Sequence, residues 1–555
     1  MPNSIKIIIF AANTLIRIQM FKPNEAFFRG MGQDFIPSKE QESIFDTLQH
    51  GIGNIIVNAV AGSGKSTVIK GCALLVPDNK RFIVLSHNKD VADKMRFSLL
   101  STGIDEKRFT VRTFHALGYK ILRDCGLVDI DNEGTIDDNK YMSYISGLDK
   151  AANGYVLSLK EKVALKSVID FARQNLAQDE YDIHDVIEKY GIIPFPSIEE
   201  TALSILEWGK NAVQELGLCD YLDMLWYPYE GISTLPRYFQ FDYVFVDEAQ
   251  DASPAQQAMV KRLIGRSTRL IIMGDRYQAI NTWCGSDERA MDNFKRLGAK
   301  WTELPLSTNY RCGKAILSNA MRTVEKYNFG IVLNPCDNAP EGEIIRNAHV
   351  EQIRENDMVL CRHTYPLFQL YARLTEMGIR AEIRGENIAQ RILTILSCSK
   401  SDNLEDIIRE TAAMGLDGTE PDNDEDIRGN TVMCYEMCQI FKILSMSCST
   451  KDDAKRYIEK AFITRNQSGV VSLSTMHRAK GLEANNVFIA YPELLPSPMC
   501  KDDNEWQMEM EKNLEYVALT RAKKKLFFLD SNEIPLDQVF LKKGKIKKKL
   551  YEYLN

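Results

Sequence analysis

At 555 residues, with 45% hydrophobic and 26% charged side chains, the chain has the composition of a multi-domain globular protein, not of a disordered or fibrous one. No apolar run reaches the roughly 18–20 residues of a membrane span. The formal net charge of −7 excludes a uniformly basic coat, so any nucleic-acid groove must be local.

Twelve scattered cysteines show no small disulfide framework and point to a reduced, intracellular setting, cytoplasm or nucleus. Cys434, Cys438 and Cys448 read as helical core thiols, because no clear fourth metal ligand accompanies them. Residues 1–35 read as an N-terminal extension. Ile7–Ala12 is apolar and no acidic residue precedes Glu25. A targeting peptide and a true start at Met31 both fit this stretch, and both stay open.

Along the chain, Gly53–Val60 predicts a strand that runs into a glycine turn. Arg81–Ser86, Tyr243–Val246 and Leu270–Met273 are short apolar runs of the buried-strand type, with helical patterns between them. Strands that alternate with helices predict a parallel sheet covered on both faces. The strand pattern fades over residues 124–237, where Ala164, Val168, Phe171 and Ala172 repeat at helical spacing. A second α/β half opens near Leu306, with strands at Met358–Cys361, Gly469–Leu473 and Val487–Ala490. It is interrupted over residues 391–464 by a small, helical, partly acidic insertion. The tail Lys542–Lys549 (KKGKIKKK), within a basic segment 536–555, reads as solvated charge.

Ala59–Thr67 reads AVAGSGKST between a predicted strand and a predicted helix, the context of a phosphate loop. Gly62 and Gly64 let the backbone of Ala61–Ser66 curl with its N–H groups inward. Lys65 supplies a point charge for phosphates and Ser66 a hydroxyl for Mg²⁺, with Thr67 beside it. The first glycine of the general pattern is Ala59 here. Asp247–Asp251 (DEAQD) follows an apolar strand, where Asp247 suits Mg²⁺ and Glu248 suits the attacking water. An acidic helix start is the bland alternative.

With these residues in view, the chain resembles superfamily 1A DNA helicases of the UvrD/Rep/PcrA type. In compactness it is similar to the helicase core of the F-box helicases. The resemblance runs from about residue 36 to 528. It implies an α/β fold of two tandem RecA-like parallel-sheet P-loop domains, each with a mainly helical insertion. The first domain would be 36–123 with 238–305, around insertion 124–237. The second would be 306–390 with 465–535, around insertion 391–464.

By the same resemblance, Gln41 in IPSKEQESIF reads adenine and Gln278 in GDRYQAINTWCG senses the γ-phosphate or water. Trp283 in that motif stacks on a base. In NYR, Tyr310 stacks on adenine and Arg311 is an arginine finger, with Arg521 of YVALTRA as the second. In STMHRAKGLE, Thr475 and His477 face nucleic acid, and Gly481 and Glu483 face the nucleotide. SHNK and TFH match strand-contacting motifs, implicating His87, Asn88, Thr113, Phe114 and His115. The family has an aromatic where His87 stands. Asn88 alternatively caps a helix, and Phe114 alternatively packs in the core.

The implied activity is ATP- and Mg²⁺-dependent 3′–5′ movement on single-stranded DNA with unwinding of forked duplexes, in repair, recombination or replication. The alternatives are a translocase that strips bound proteins with little unwinding, and a nucleotide-binding scaffold without a motor cycle. No membrane partner is implied, and loading proteins stay unspecified.

Overall fold

The computed structural model describes residues 21–129, 135–148, 157–280, 289–325, 330, 332–416, 429–462, 469–497, 500, 505–532, 536 and 546–554. Two compact units emerge. The first comprises residues 1–276 and 281–307, the second residues 277–280 and 308–555.

The first unit is built on six parallel strands: β1 (Asn54–Ala59), β2 (Phe82–Ser86), β3 (Phe109–Thr113), β4 (Phe241–Val246), β5 (Ile264–Gly274) and β6 (Trp301–Leu306). Their spatial order is β3-β2-β4-β5-β1-β6. Ile55 pairs with Ile271 on one side and Thr302 on the other, which places β1 inside the sheet. Interior strands of a covered parallel sheet need apolar side chains on both faces. The run NIIVNA meets that need, and Ile55, Ile56 and Val57 are fully buried.

Helices start where the sequence supplies caps. Ser38 opens Lys39–His50 with a capping box closed by Gln41, and Ser158 opens Leu159–Asn175 with one closed by Glu161. In Leu159–Asn175 the buried face is Leu165, Val168, Ile169 and Ala172. Ala164 and Phe171 lie at its margin, so the predicted stripe is turned by about one residue. Helices Lys140–Leu148, Leu159–Asn175, Glu180–Tyr190 and Ile198–Leu216 form the first insertion, around their own apolar cluster. A buried ionic knot ties them to the next segment. Arg173 reaches Asp220 at 2.7 Å and Asp223 at 2.9 Å, and Lys140 reaches Asp223 at 2.7 Å. Removing one partner of such a buried pair costs about 3–5 kcal/mol.

The second unit carries the short pair β7 (Thr308–Asn309) and β8 (Asn334–Pro335) and a six-stranded parallel sheet. That sheet comprises β9 (Glu343–Ala348), β10 (Met358–Cys361), β11 (Ala381–Ile383), β12 (Val471–Thr475), β13 (Ala484–Ile489) and β14 (Ala522–Leu529). Its order is β11-β12-β10-β13-β14-β9. Helices Glu386–Cys398, Leu404–Gly415, Gly429–Ser445 and Lys451–Ala461 form the second insertion. Unlike the first, it shares one core with its sheet: Ile407, Tyr435, Phe441 and Ile458 pack in the same cluster as Val359, Phe368 and Phe488. Cys434, Cys438 and Cys448 are buried there, and burial raises the Cys434 thiol to about 11. The acidic run 420–426 lies outside the described residues.

Both termini differ from the sequence reading. Helix Glu25–Met31 is part of the first unit, because Phe27 is buried among Phe21 and Phe45 with ring centroids 5.2 and 5.3 Å away. A chain starting at Met31 would lose that side chain from the core. The basic tail is not free charge: Ile546–Leu554 is a helix whose Ile546 and Leu550 enter the second unit's core. Gln439 Nε2 donates to the Tyr553 hydroxyl at 2.8 Å. The KIKKKL spacing puts isoleucine and leucine on one face, which a count of lysines hides. Among the described residues, no helix is long and apolar enough to cross a membrane.

Candidate functional site

In the first unit, β1 delivers the chain into the turn 60–64, and helix Lys65–Leu74 follows at once. Gly62 has φ 65° and Gly64 φ 84°, the left-handed region where a side chain is strained. A Cβ on Gly64 would lie 3.7 Å from Gln41 Nε2, so the predicted adenine-reading amide borders this loop. Gln41 Oε1 is already engaged by the Ser38 N–H at 3.0 Å, which fixes the amide's orientation.

The loop's charges form one set. Lys65 Nζ lies 3.3 Å from Glu248 Oε1. Burial alone would lower the Lys65 pKa; the carboxylates of Glu248, Asp275 and Asp247 outweigh it and hold the ammonium above its ordinary value. Asp247 is buried at the carboxyl end of β4. Glu248 sits at φ 52°. Its second oxygen accepts from Gln250 Nε2 at 2.6 Å, while Gln250 Oε1 accepts from the Asp275 N–H at 3.0 Å. A strained glutamate held at both oxygens beside a phosphate loop is pre-set for one orientation.

This set fits a nucleotide. Ser63 Oγ is buried without a hydrogen-bond partner, an acceptor and donor left over for a ligand. Ser66 and Thr67 are exposed at the helix N-terminus, where anions are favoured. Among the described residues no three acidic, histidine or cysteine side chains form a group that could hold a metal ion by themselves, and the residues at this loop offer the Ser66 hydroxyl and the Asp247 carboxylate. That donor set suits Mg²⁺, which keeps waters and takes phosphate oxygens rather than an all-protein cage.

In the second unit, Arg311 and Arg521 meet at one residue. Arg311 Nη1 donates to the Thr520 carbonyl at 3.4 Å, and Arg521 Nη2 to the Thr520 hydroxyl at 3.1 Å. Arg311 Nε donates to Glu483 at 2.7 Å. Burial alone would raise the Glu483 pKa; Lys523 and Arg311 outweigh it and keep the carboxylate charged. Arg521 is buried, with further bonds to the Val517 and Leu482 carbonyls at 2.8 and 3.2 Å. Tyr310 is half exposed. Gly481 takes φ 84° next to Glu483. Gln278 lies in the segment 277–280 that counts with this unit, and its carbonyl accepts from Lys480 Nζ at 2.8 Å.

Residues 39–297 match the UvrD/REP helicase N-terminal domain, and residues 399–533 match the UvrD-like helicase C-terminal domain. The chain belongs to the UvrD-like helicase family. It is 27% identical over 290 residues to DNA helicase II of Salmonella typhimurium, covering 50% of this chain and 39% of that protein. It is 26% identical over 302 residues to the ATP-dependent DNA helicase PcrA of Leuconostoc citreum, covering 51% and 38%. For PcrA of Staphylococcus aureus the figures are 23% over 328 residues, 54% and 41%. The matched stretch thus spans about two-fifths of each relative's length.

The residues expected to face a nucleic-acid strand divide in this UvrD-like chain. In the first unit, Asn88 caps helix Lys89–Leu100, accepting from the Asp90 N–H at 2.8 Å, and Thr113 caps helix Phe114–Asp124. Phe114 is 1% exposed within the core cluster, so as placed it offers no face to a base. His87 packs on it at 5.1 Å between ring centroids. His115 is half-buried; burial lowers its pKa against the pull of Asp220. Trp283 lies outside the described residues. In the second unit, Thr475 ends β12 and His477 follows. Burial, with Arg362 and His363 nearby, lowers the His477 pKa to about 3, so its ring is neutral.

Several residues of these clusters received no role from the sequence. Gln250 and Asp275 stand inside quoted motifs, and only the fold shows that they meet. Tyr221 is exposed beside His115, with ring centroids 6.3 Å apart; its one signal was an aromatic between the acids of CDYLD. Arg362 and Glu511 carry no signature of their own.

Proposed function

We propose that the chain is an ATP-driven motor that moves 3′–5′ along single-stranded DNA and separates forked duplexes, in repair, recombination or replication. The observation that carries this reading is the Glu248 carboxylate, held between Lys65 and Gln250 at the phosphate loop. A passive nucleotide-binding scaffold has no use for an oriented, strained glutamate there.

In the proposed cycle the loop amides of Ala61–Ser66 and the Lys65 ammonium bind the β- and γ-phosphates. Ser66 and Asp247 would hold Mg²⁺, which would supply positive charge against the phosphates. Glu248 orients the attacking water and accepts its proton as the water oxygen bonds the γ-phosphorus, while the bond from that phosphorus to the β–γ bridging oxygen breaks and ADP leaves with the electron pair. Gln41 and Tyr310 hold adenine, and Gln278, Gly481 and Glu483 border the nucleotide. Arg311 and Arg521 stabilise the charge that builds on the transferring phosphoryl group. In this cycle each turnover shifts the population of two grips on the strand. His87, Asn88, Thr113, His115, Trp283, Thr475 and His477 are the proposed strand-facing set.

The second reading, a translocase that strips proteins and unwinds little, draws support from the small second insertion, which shares its sheet's core. ATP turnover with DNA and RNA oligonucleotides tests the motor. A forked duplex with a 3′ tail separates unwinding from stripping. Turnover indifferent to any strand would sink both.

A further inference from the structure

A polar cluster in the second unit lies apart from the arginines and rests on the motor reading for its meaning. Cys361 at the end of β10 pairs in register with Thr475 at the end of β12. The chain beyond these ends supplies Arg362, His363 and His477. Arg362 donates to both oxygens of Glu511, through Nε at 3.1 and 3.0 Å and Nη2 at 2.7 Å. Glu511 is 1% exposed and also accepts the Ser497 N–H at 2.9 Å. The Ser497 hydroxyl lies 3.1 Å from His363 Nε2, and His363 Nδ1 lies 2.8 Å from Glu436 of the second insertion. Burial alone would raise the Glu511 pKa; Arg362 and the Ser497 N–H outweigh it, so the carboxylate is charged. One buried anion thus organises the edge where the strand-facing residues Thr475 and His477 stand.

Glu511 is carried by helix Glu505–Leu519, which leads directly into Thr520 and Arg521. Ten residues of helix span about 15 Å. Near the far end, Thr520 receives Arg311 and Arg521. Between the two ends, Asn513 Nδ2 donates to the Ala279 carbonyl at 3.2 Å, and the Tyr516 ring lies 5.7 Å from Tyr277. The same helix therefore also holds the segment that contains Gln278.

We propose that Glu511 is a positioning residue: from helix Glu505–Leu519 its carboxylate holds Arg362 and Ser497 against the Thr475–His477 edge, so that the arginine end of the helix and the strand-facing edge move as one body. Coupling between separated sites needs such an element, whose state both sites bias. Glu511 touches neither nucleotide nor strand. Its loss leaves the chemistry in place and cuts the communication.

The test uses the full chain. Glu511→Gln alone strands the Arg362 charge, so the decisive variant is the double Glu511→Leu, Arg362→Met. Exchanging a buried pair for apolar side chains of similar size is often neutral or stabilising. Basal ATP turnover, turnover saturated with a thymidine homopolymer, and melting temperature are measured together. The expected result is a cooperative melt lowered only by the orphaned Ser497 N–H, basal turnover within about twofold, and strand stimulation reduced at least about tenfold, roughly 1.4 kcal/mol of coupling. A folded double variant with wild-type stimulation would show that the pair only stabilises, and would overturn the proposal. If the double variant does not fold, Glu511→Asp keeps the charge and withdraws the carboxylate by one methylene. Partial loss of stimulation is then expected, and full stimulation overturns the coupling. Wild-type protein that no strand stimulates refutes the motor reading itself, a distinguishable failure.

Discussion

Replacing Gln250 with leucine should cripple hydrolysis while sparing ATP binding. Gln250 is 2% exposed, and its amide does two things: Nε2 holds Glu248 at 2.6 Å and Oε1 takes the Asp275 N–H at 3.0 Å. Leucine conserves volume and removes both bonds. A hydrogen bond to a charged group contributes about 1.5–3 kcal/mol. Glu248 also stands at φ 52°, a conformation that costs a non-glycine residue about 1–2 kcal/mol and persists only while its surroundings enforce it. If the lost restraint appears in the transition state, turnover falls about 10- to 100-fold, at 1.36 kcal/mol per decade. The orphaned Asp275 N–H adds about 1–3 kcal/mol of instability. A steady-state ATPase assay with saturating strand, beside titration of a fluorescent ATP analogue, separates the effects. Wild-type turnover, or equal losses in affinity and turnover, would refute the idea that Gln250 orients Glu248.

Lys65→Ala should abolish hydrolysis, because it removes the ammonium that lies 3.3 Å from Glu248 at the loop; near-normal turnover would remove the phosphate-loop assignment. Arg311→Ala should lower turnover far more than ATP affinity, and comparable losses in a binding titration would deny it a finger role. His477 has a folded pKa near 3 against about 6.5 unfolded. Its stabilising contribution is therefore complete above pH 6.5 and declines as pH falls from there toward 3. Wild type should lose stability to denaturant between pH 6.5 and 5 faster than His477→Gln, and parallel pH profiles would contradict a ring held neutral by its surroundings. Truncation before Ile546 strips two buried aliphatic side chains at about 1.5–3 kcal/mol each. A lowered melting temperature is expected, and an unchanged one would return the tail to solvent.

The fold was legible where strands are covered on both faces. β1, β2, β4, β5, β10, β12 and β13 are interior strands, and each presents an apolar run. The four edge strands β3, β6, β9 and β11 were not seen. An edge strand is half solvated, so FTVRT, WTELPL, EIIRNA and AEI mix polar residues into short runs, and WTELPL carries a proline that only an edge tolerates. β14 is interior yet escaped as well: its first turns, AKKK, place lysines where the strand emerges, and only LFFL is core. Periodicity reports burial, not hydrogen bonding, and misses strands whose neighbours are on one side only.

The site divides along a different line. Lys65, Asp247, Glu248, Arg311 and Arg521 could be read because each lies in a short string whose spacing is dictated by the phosphates it would serve. Their partners obey no such spacing. Gln250 and Asp275 are 25 residues apart and meet only because β4 and β5 are neighbours in the sheet. Arg362 and Glu511 are 149 residues apart and meet because helix Glu505–Leu519 brings Glu511 to the residue that follows β10. Phe114 shows the converse: its motif implied a strand contact while core packing stayed open, and helix Phe114–Asp124 turns the ring into the core, leaving Tyr221 exposed beside the half-buried His115. Local strings therefore encode the groups that would perform chemistry, whereas topology supplies the groups that hold them still. Within the second class, distance from the phosphate loop decides the outcome: Gln250, which holds Glu248, should take the chemistry with it, whereas Glu511 and Arg362, on replacement, should keep basal turnover and lose its control by a strand.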